Sequence, residues 1–253
     1  MIKIKSKEEI EKIKKASEIV AICLEEVGKL IRPGVTTKFL DSFAESLIRD
    51  FGAIPGFKGY QGYPATLCVS INNEVVHGIP SPAREIKPGD IVSIDVGVLK
   101  DEYYGDGAKT FAVGEVSPKI KKLLKTTEQA LYNGIAQAKP GNKIGDIGFA
   151  IQKTVEKEGF SVVRDLVGHG IGRNLHEDPQ VPNYGRKNTG AILKEGMTIA
   201  IEPMVNVGTF KVNVLSDNWT IVTADGLWSA HFEHTIAILK NGAKILTKLP
   251  KKE

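Results

Sequence analysis

The chain has 253 residues, 42% of them hydrophobic and 25% charged, with a formal net charge of +4. Those proportions exclude a disordered or low-complexity chain and describe a globular one, with enough residues for one large domain or two fused halves around a substantial core. No apolar run approaches the roughly 18 residues of a membrane span, the opening Met-Ile-Lys-Ile-Lys-Ser has no signal-peptide core, and Cys23 and Cys68 are too few for a disulfide framework, so a cytoplasmic protein with no membrane partner is expected.

In chain order, Ser6-Lys7-Glu8-Glu9 forms a capping box. The helix behind it carries Ile10, Ile13, Ile19, Val20, Cys23, Leu24, Val27 and Leu30 at helical spacing and stops at Pro33-Gly34. Thr36 or Thr37 caps a second helix with Leu40, Phe43, Ala44, Leu47, Ile48 and Phe51, closed by Gly52. An aromatic, Gly-rich segment from Phe57 to Pro64 follows. Next come a strand at Leu67 to Ile71, an Asn72-Asn73 turn and Val75-Val76-His77-Gly78. Residues 91–110 read as a β-hairpin of β-branched strands with Lys100 and Asp101 at the turn. That register puts Asp95 opposite Asp106, with Cβ atoms about 4.5 to 5.5 Å apart. Two like charges so close on apolar strands suggest a cation between them; two solvent-facing aspartates are the alternative. Gly105 and Gly107 flank Asp106, as expected where backbone closely approaches a ligand.

A helix is predicted at about 117 to 138, then Pro140-Gly141 and a helix ending at Gly159. A strand from Phe160 to about Leu166 leads into a long Gly- and Pro-rich loop over 168 to 190. The remainder reads as strands at Met197 to Val205, Val212 to Thr223, His231 to Leu239 and Lys244 to Thr247. The lysines near the N-terminus and Lys119, Lys121, Lys122 and Lys125 read as solvated helix faces; a weak attraction to RNA, and so to a ribosome, is the lesser reading.

The chain repeats itself. Pro33, Gly34 and Gly52 recur 107 residues later as Pro140, Gly141 and Gly159, and Lys87 to Asp95 recurs as Lys194 to Glu202. This predicts one α+β domain over residues 1–253, built from half-repeats at about 6 to 112 and 117 to 247. The halves pack about a pseudo-twofold, with a central antiparallel sheet inside and helices outside. Asp95 and Glu202 then hold equivalent strand positions and converge.

Of the five histidines, His77, His169, His176, His231 and His234, His169 lies between Gly168 and Gly170. Strand alternation puts His231 and Glu233 on one face, Phe232 and His234 on the other. A candidate constellation is Asp95, Asp106, His169, Glu202 and Glu233. Its four carboxylates carry four negative charges, which two divalent cations balance. Oxygen ligands with one imidazole and no thiolate suit Mn2+, Fe2+ or Co2+ at least as well as Zn2+. Taken singly, each acid reads as a surface carboxylate and each histidine as a packing residue; shared repeat positions and flanking glycines set this group apart.

The motifs Asp95-Val-Gly, Gly105-Asp106, Gly168-His169-Gly170-Ile-Gly172, His176-Glu-Asp-Pro, Ile201-Glu202-Pro203-Met204 and Phe232-Glu233-His234-Thr235 resemble those of methionine aminopeptidases of type I, over nearly the whole chain. The resemblance implies a pita-bread fold, a monomer, and removal of the N-terminal methionine from peptides and nascent chains when the second residue is small. It implies that Asp106 and Glu233 bridge two metals, His169 and Glu202 complete one, and Asp95 chelates the other. It further implies that His77 and His176 contact substrate, that Glu202 also moves a proton, and that Tyr60, Tyr63, Cys68 and Trp219 line the methionine pocket. Leu175 stands where many relatives carry Phe, and Gly97 where some carry Thr. The same fold hosts Xaa-Pro aminopeptidases, prolidases and creatinases, which usually carry an extra N-terminal domain that the 94 residues before Asp95 do not accommodate. A non-catalytic binding module of this fold is a third reading, in which the metal ligands tend to be lost.

Overall fold

The Ser6 hydroxyl accepts from the Glu9 N–H while the Glu9 carboxylate accepts from the Ser6 N–H, and this box starts helix α1 (Lys7–Leu30). Thr36 caps α2 (Thr37–Asp50), and Ser117 caps α3 (Pro118–Ile135), whose first-turn proline needs no N–H partner. Helix α4 (Ile144–Lys157) follows. The structure is a computed structural model and describes residues 1–250.

The first-half strands are β1 (Ile54–Pro55), β2 (Leu67–Ile71), β3 (Glu74–Val76), β4 (Ile91–Lys100) and β5 (Tyr103–Ala112). β4 pairs antiparallel with β5 on one side and with β1 and β2 on the other. One face of this sheet packs Val92, Ile94, Val96 and Val98 against Val20, Cys23 and Val27 of α1 and Leu40 and Ala44 of α2. The second half supplies β6 (Ser161–Val162), β7 (Gly168–Gly170), β8 (Glu177–Val181), β9 (Thr198–Ile201), β10 (Met204–Asn206), β11 (Val212–Val214), β12 (Ile221–Thr223), β13 (Ser229–His231), β14 (His234–Leu239) and β15 (Gly242–Ile245). They form sheets ordered β15-β14-β9-β7-β8, β13-β10-β6 and, with the first half's β3, β11-β12-β3. A separate core lies under α3 and α4, around Leu123, Leu131, Ile147, Ile151, Ile199 and Ile236.

The internal repeat extends to individual hydrogen bonds. The Gly34 N–H donates to Ile86 O, and the Gly141 N–H donates to Leu193 O. The lone bridge Thr36–Glu85 recurs as Lys143–Ile192. β1 pairs with the end of β4 as Ile54 to Leu99, and β6 pairs with β10 as Ser161 to Asn206. Gly34 and Gly141 both take left-handed φ, 85° and 92°, which only glycine adopts without strain. These are pseudo-symmetric halves with antiparallel sheets inside and helices outside, the pita-bread arrangement.

Three predicted details change. The hairpin turn is Asp101-Glu102, both with left-handed φ (50° and 69°), so Lys100 pairs with Tyr103 and belongs to β4. Lys100 is held there because its ammonium donates to the Phe51 and Gly52 carbonyls at the end of α2. The register therefore moves by two: Asp106 faces Gly97 and Asp95 faces Ala108. An even shift keeps both carboxylates on one face, as diagonal neighbours at about 7 Å rather than opposed ones. Second, the expected strand after Phe160 is only Ser161–Val162, and the expected loop at 168 to 190 contains two strands, β7 and β8. β7 is almost all glycine because neighbouring strands crowd it: a Cβ on Gly170 would lie 2.1 Å from Asp178 O. Third, three long strands each divide in two. Asp217 turns the chain between β11 and β12 by accepting from the Trp219 and Thr220 N–H groups. The other two breaks fall at Glu202-Pro203 and Phe232-Glu233. Pro203 has no N–H for the ladder, and the chain changes sheet there.

Candidate metal centre

Those two breaks face each other. β14 pairs with β9 as His234 to Ile201, and β13 pairs with β10 as His231 to Met204, so Glu202 and Glu233 lie opposite one another at the common corner. The first half meets this corner along β5. Thr235 Oγ1 accepts from Asp106 N–H and donates to Asp106 O, Glu233 N–H donates to Ala108 O at 2.9 Å, and Thr110 Oγ1 accepts from His231 N–H at 2.9 Å. Alternate residues Asp106, Ala108 and Thr110 of β5 are thus stitched to Thr235, Glu233 and His231, and Asp106 is delivered beside Glu233.

Asp106, His169 and Glu233 each offer a ligand atom within 4.8 Å of the others. His169 Nε2 stands 3.8 Å from Asp106 Oδ2 and 3.6 Å from Glu202 Oε1. Its Nδ1–H donates to Gly170 O at 2.9 Å, which leaves the Nε2 lone pair facing the acids, the tautomer a ligand needs. Asp95 lines the same cavity, of about 150 Å³, with Glu202 beside it.

Burial is the main electrostatic influence. It raises the carboxyls of Asp106, Glu202 and Glu233 well above the carboxylate range, and repulsion adds to it, from Asp95 on all three, from Glu202 on Asp106 and Glu233, and from Asp106 on Glu233. Burial also moves Asp95 up to about 7 and His169 down to about 3. Asp95 Oδ1 and Glu233 Oε1 have no hydrogen-bond partner. No lysine or arginine is paired with these acids among the described residues. Oxygen-rich donors, a neutral imidazole and orphaned carboxylate oxygens fit divalent cations.

The remaining predicted residues form the cavity wall. Tyr60 Oη lies 2.8 Å from His176 Nδ1, and the His169 and His176 rings meet edge to face at 4.2 Å. His77 has a left-handed φ of 60°, directing its ring toward Trp219 at 6.2 Å. Trp219 packs edge-on to Tyr63, whose hydroxyl donates to Leu67 O. Cys68 is buried beside Phe57, Tyr63 and Leu175 in an apolar cluster. Both cysteines are free. Gly97 is explained by Phe57: a Cβ would lie 2.5 Å from that ring. Gly105 has a different reason from the one expected. It faces α1, where a Cβ would meet Ser17 N at 2.5 Å, so helix packing and not a ligand requires it. His231, outside the five-residue constellation, also stands beside the acids, 4.0 Å from Glu233, and its shared face with Glu233 is readable from strand alternation. Phe57 and Gln61 line the cavity without a motif of their own, and so does Leu175, the position where many relatives carry Phe.

Pita-bread architecture around buried acids and a histidine defines a metallopeptidase centre. Residues 11–240 match the model of metallopeptidase family M24, and the chain belongs to that family. It is 53% identical over 249 residues to methionine aminopeptidase 1 of Bacillus subtilis, covering 98% of this chain and 100% of that one. The methionine aminopeptidase of Clostridium acetobutylicum is 52% identical, with 98% and 99% covered. The crystal structure of methionine aminopeptidase from Thermotoga maritima superposes with a TM-score of 0.97 at 52% identity, covering 98% of this chain and 100% of that one. The prolidase from Pyrococcus horikoshii reaches a TM-score of 0.77 at 27% identity, and only 64% of its chain is covered.

Proposed function

We infer that this chain is a methionyl aminopeptidase, which removes the N-terminal methionine of nascent proteins and peptides. The observation that carries this reading is end-to-end similarity to methionine aminopeptidases, against the partial coverage of the prolidase. The buried, uncompensated group Asp106, His169 and Glu233 gives that similarity its chemistry.

Two divalent cations, Co2+, Mn2+, Fe2+ or Zn2+, would be held by Asp95, Asp106, His169, Glu202 and Glu233. When bound they supply Lewis acidity and lower the pKa of water toward neutrality. Glu202, with its side chain partly open to the cavity, accepts a proton from the attacking water and returns it to the leaving amine. His176, oriented by Tyr60, stabilises negative charge developing on the scissile carbonyl oxygen. His77, on its left-handed backbone, hydrogen-bonds the scissile amide. Tyr60, Tyr63, Cys68 and Trp219 enclose the methionine side chain, whose thioether suits an aromatic pocket. The proposal includes a monomeric, cytoplasmic enzyme over one domain of residues 1–253. Its exposed lysines Lys119, Lys121 and Lys125 give it a weak, salt-sensitive attraction to the ribosome.

A Met-Xaa-Ser peptide series tests the reading, with metal-stripped protein reloaded with each cation in turn. Hydrolysis should be fast for Xaa = Ala and fall by about 100-fold or more for Xaa = Phe, as a steric limit at the second residue requires. Equal rates across the series, or faster cleavage of Gly-Pro peptides, would point to the prolidase class instead.

A further inference from the structure

His231 is the one histidine beside the acids with no assigned work. Its side chain is 2% exposed, and its Nε2 lies 4.0 Å from both Glu202 Oε2 and Glu233 Oε2. That nitrogen is buried without any hydrogen-bond partner. The backbone beneath it is fixed from the other half of the molecule: Thr110 Oγ1 accepts from His231 N–H, donates to His231 O at 2.8 Å, and lies 2.8 Å from Ser93 Oγ. Such a buried, clamped and unpartnered polar atom carries the free-energy cost of an unmade hydrogen bond.

The geometry points to His231 as a positioning residue for the metal centre, an inference that rests on the aminopeptidase reading above. A neutral imidazole between two carboxylate oxygens is favoured with its proton on the nitrogen that faces them, because a lone pair there would be repelled. The Nε2–H therefore serves as a donor to the outer oxygens of Glu202 and Glu233. The two oxygens of Glu202 are divided: Oε1 faces His169 and Oε2 faces His231. Holding Oε2 keeps Oε1 turned toward the cation site. At 4.0 Å neither contact is yet a hydrogen bond, and hydrogen bonds of catalytic sites commonly tighten on filling. Donors behind metal-binding residues set their orientation, and losing one lowers metal affinity by about 10- to 100-fold.

The test compares His231→Gln, which carries an amide N–H near the Nε2 position, with His231→Leu, which fills the space without a donor. Mn2+ affinity is measured by titration calorimetry, the Co2+ absorption spectrum is recorded, and kcat and KM are taken on Met-Ala-Ser. His231→Leu should bind Mn2+ about 10- to 100-fold more weakly and shift the Co2+ bands. His231→Gln should restore affinity to within a few-fold of the parent. Should His231→Leu not fold, His231→Asn, whose amide is too short to reach, takes its place with the same expected loss. Parental Mn2+ affinity in the Leu or Asn variant, or a Gln variant as weak as either, would overturn the inference. Failure of the parent protein to cleave Met-Ala-Ser with any cation would instead overturn the functional reading, and the calorimetric comparison would still decide the role of His231.

Discussion

A buried carboxylate with no cationic partner is among the costlier groups a folded chain can hold, and Asp95, Asp106, Glu202 and Glu233 share one cavity. Their repulsion in the metal-free protein makes an unusual prediction for Asp106→Asn and Glu233→Gln. Each should lose peptidase activity to background. Each metal-free variant should nonetheless melt above the metal-free parent, because one member of the like-charge cluster is gone. Differential scanning fluorimetry with and without Mn2+ checks this: the parent should gain stability with the cation and the variants should not. At this scale the acids were readable from the sequence because Asp95 and Glu202 recur at the same point of the repeat. The reason for the glycines was not. Gly105 and Gly107 alternate with Asp106 and so face away from it, toward Ser17 and Val20 of α1, a partner that strand periodicity does not name.

Among the elements, β8 is tied to the N-terminal segment. Lys5 Nζ donates to Glu177 Oε2 at 2.6 Å, with both side chains under 5% exposed, and Glu177 Oε1 accepts from Asn174 N–H. This buried pair fixes the turn that carries His176. Lys5→Met leaves the buried Glu177 with only the longer contact to the exposed Lys3, at 3.7 Å, and should cost about 3 kcal/mol by chemical denaturation. Mutating both residues to apolar ones should recover much of that. Burial works against the Glu177 charge, but the Lys5 ammonium and the Asn174 N–H outweigh it, and the carboxyl sits below its ordinary 4.5. A lowered carboxyl favours the folded state above the unfolded pKa, and that contribution disappears as pH falls through the folded value. The parent should therefore lose more stability than the double variant on going from pH 6 to pH 3. The helices were legible throughout, since their caps and periods are local. β7 and β8 were not: Gly168–Gly170 has no strand propensity of its own, and its extended form is imposed by β8 and β9 on either side. The hairpin register was off by two because Lys100, a plausible turn residue by itself, is recruited to the end of α2 by a contact 48 residues away.

For the molecule as a whole, the doubling was visible as recurring Pro-Gly and Lys-x-Gly motifs, and the folded chain extends it to paired bridges and matching helices. What the pattern leaves open is how the halves join. They meet at a join along β5, where Asp106, Ala108 and Thr110 interleave with Thr235, Glu233 and His231 through side-chain and single backbone hydrogen bonds, and again where the first half's β3 pairs with β12. Asp95 and Asp106 come from one side of it; His169, Glu202 and Glu233 come from the other.

A cation gripped from both sides of such a join acts as a clasp. Saturating it at 100 times its dissociation constant should add about 2.7 kcal/mol to the closed form. Amide deuterium uptake at Asp106, Glu233 and His231 should accordingly quicken when a chelator is added, while the α1 amides, whose bonds stay within one half, keep their pace. Uptake that is indifferent to the chelator at those three positions would mean that the two halves hold together without the ions.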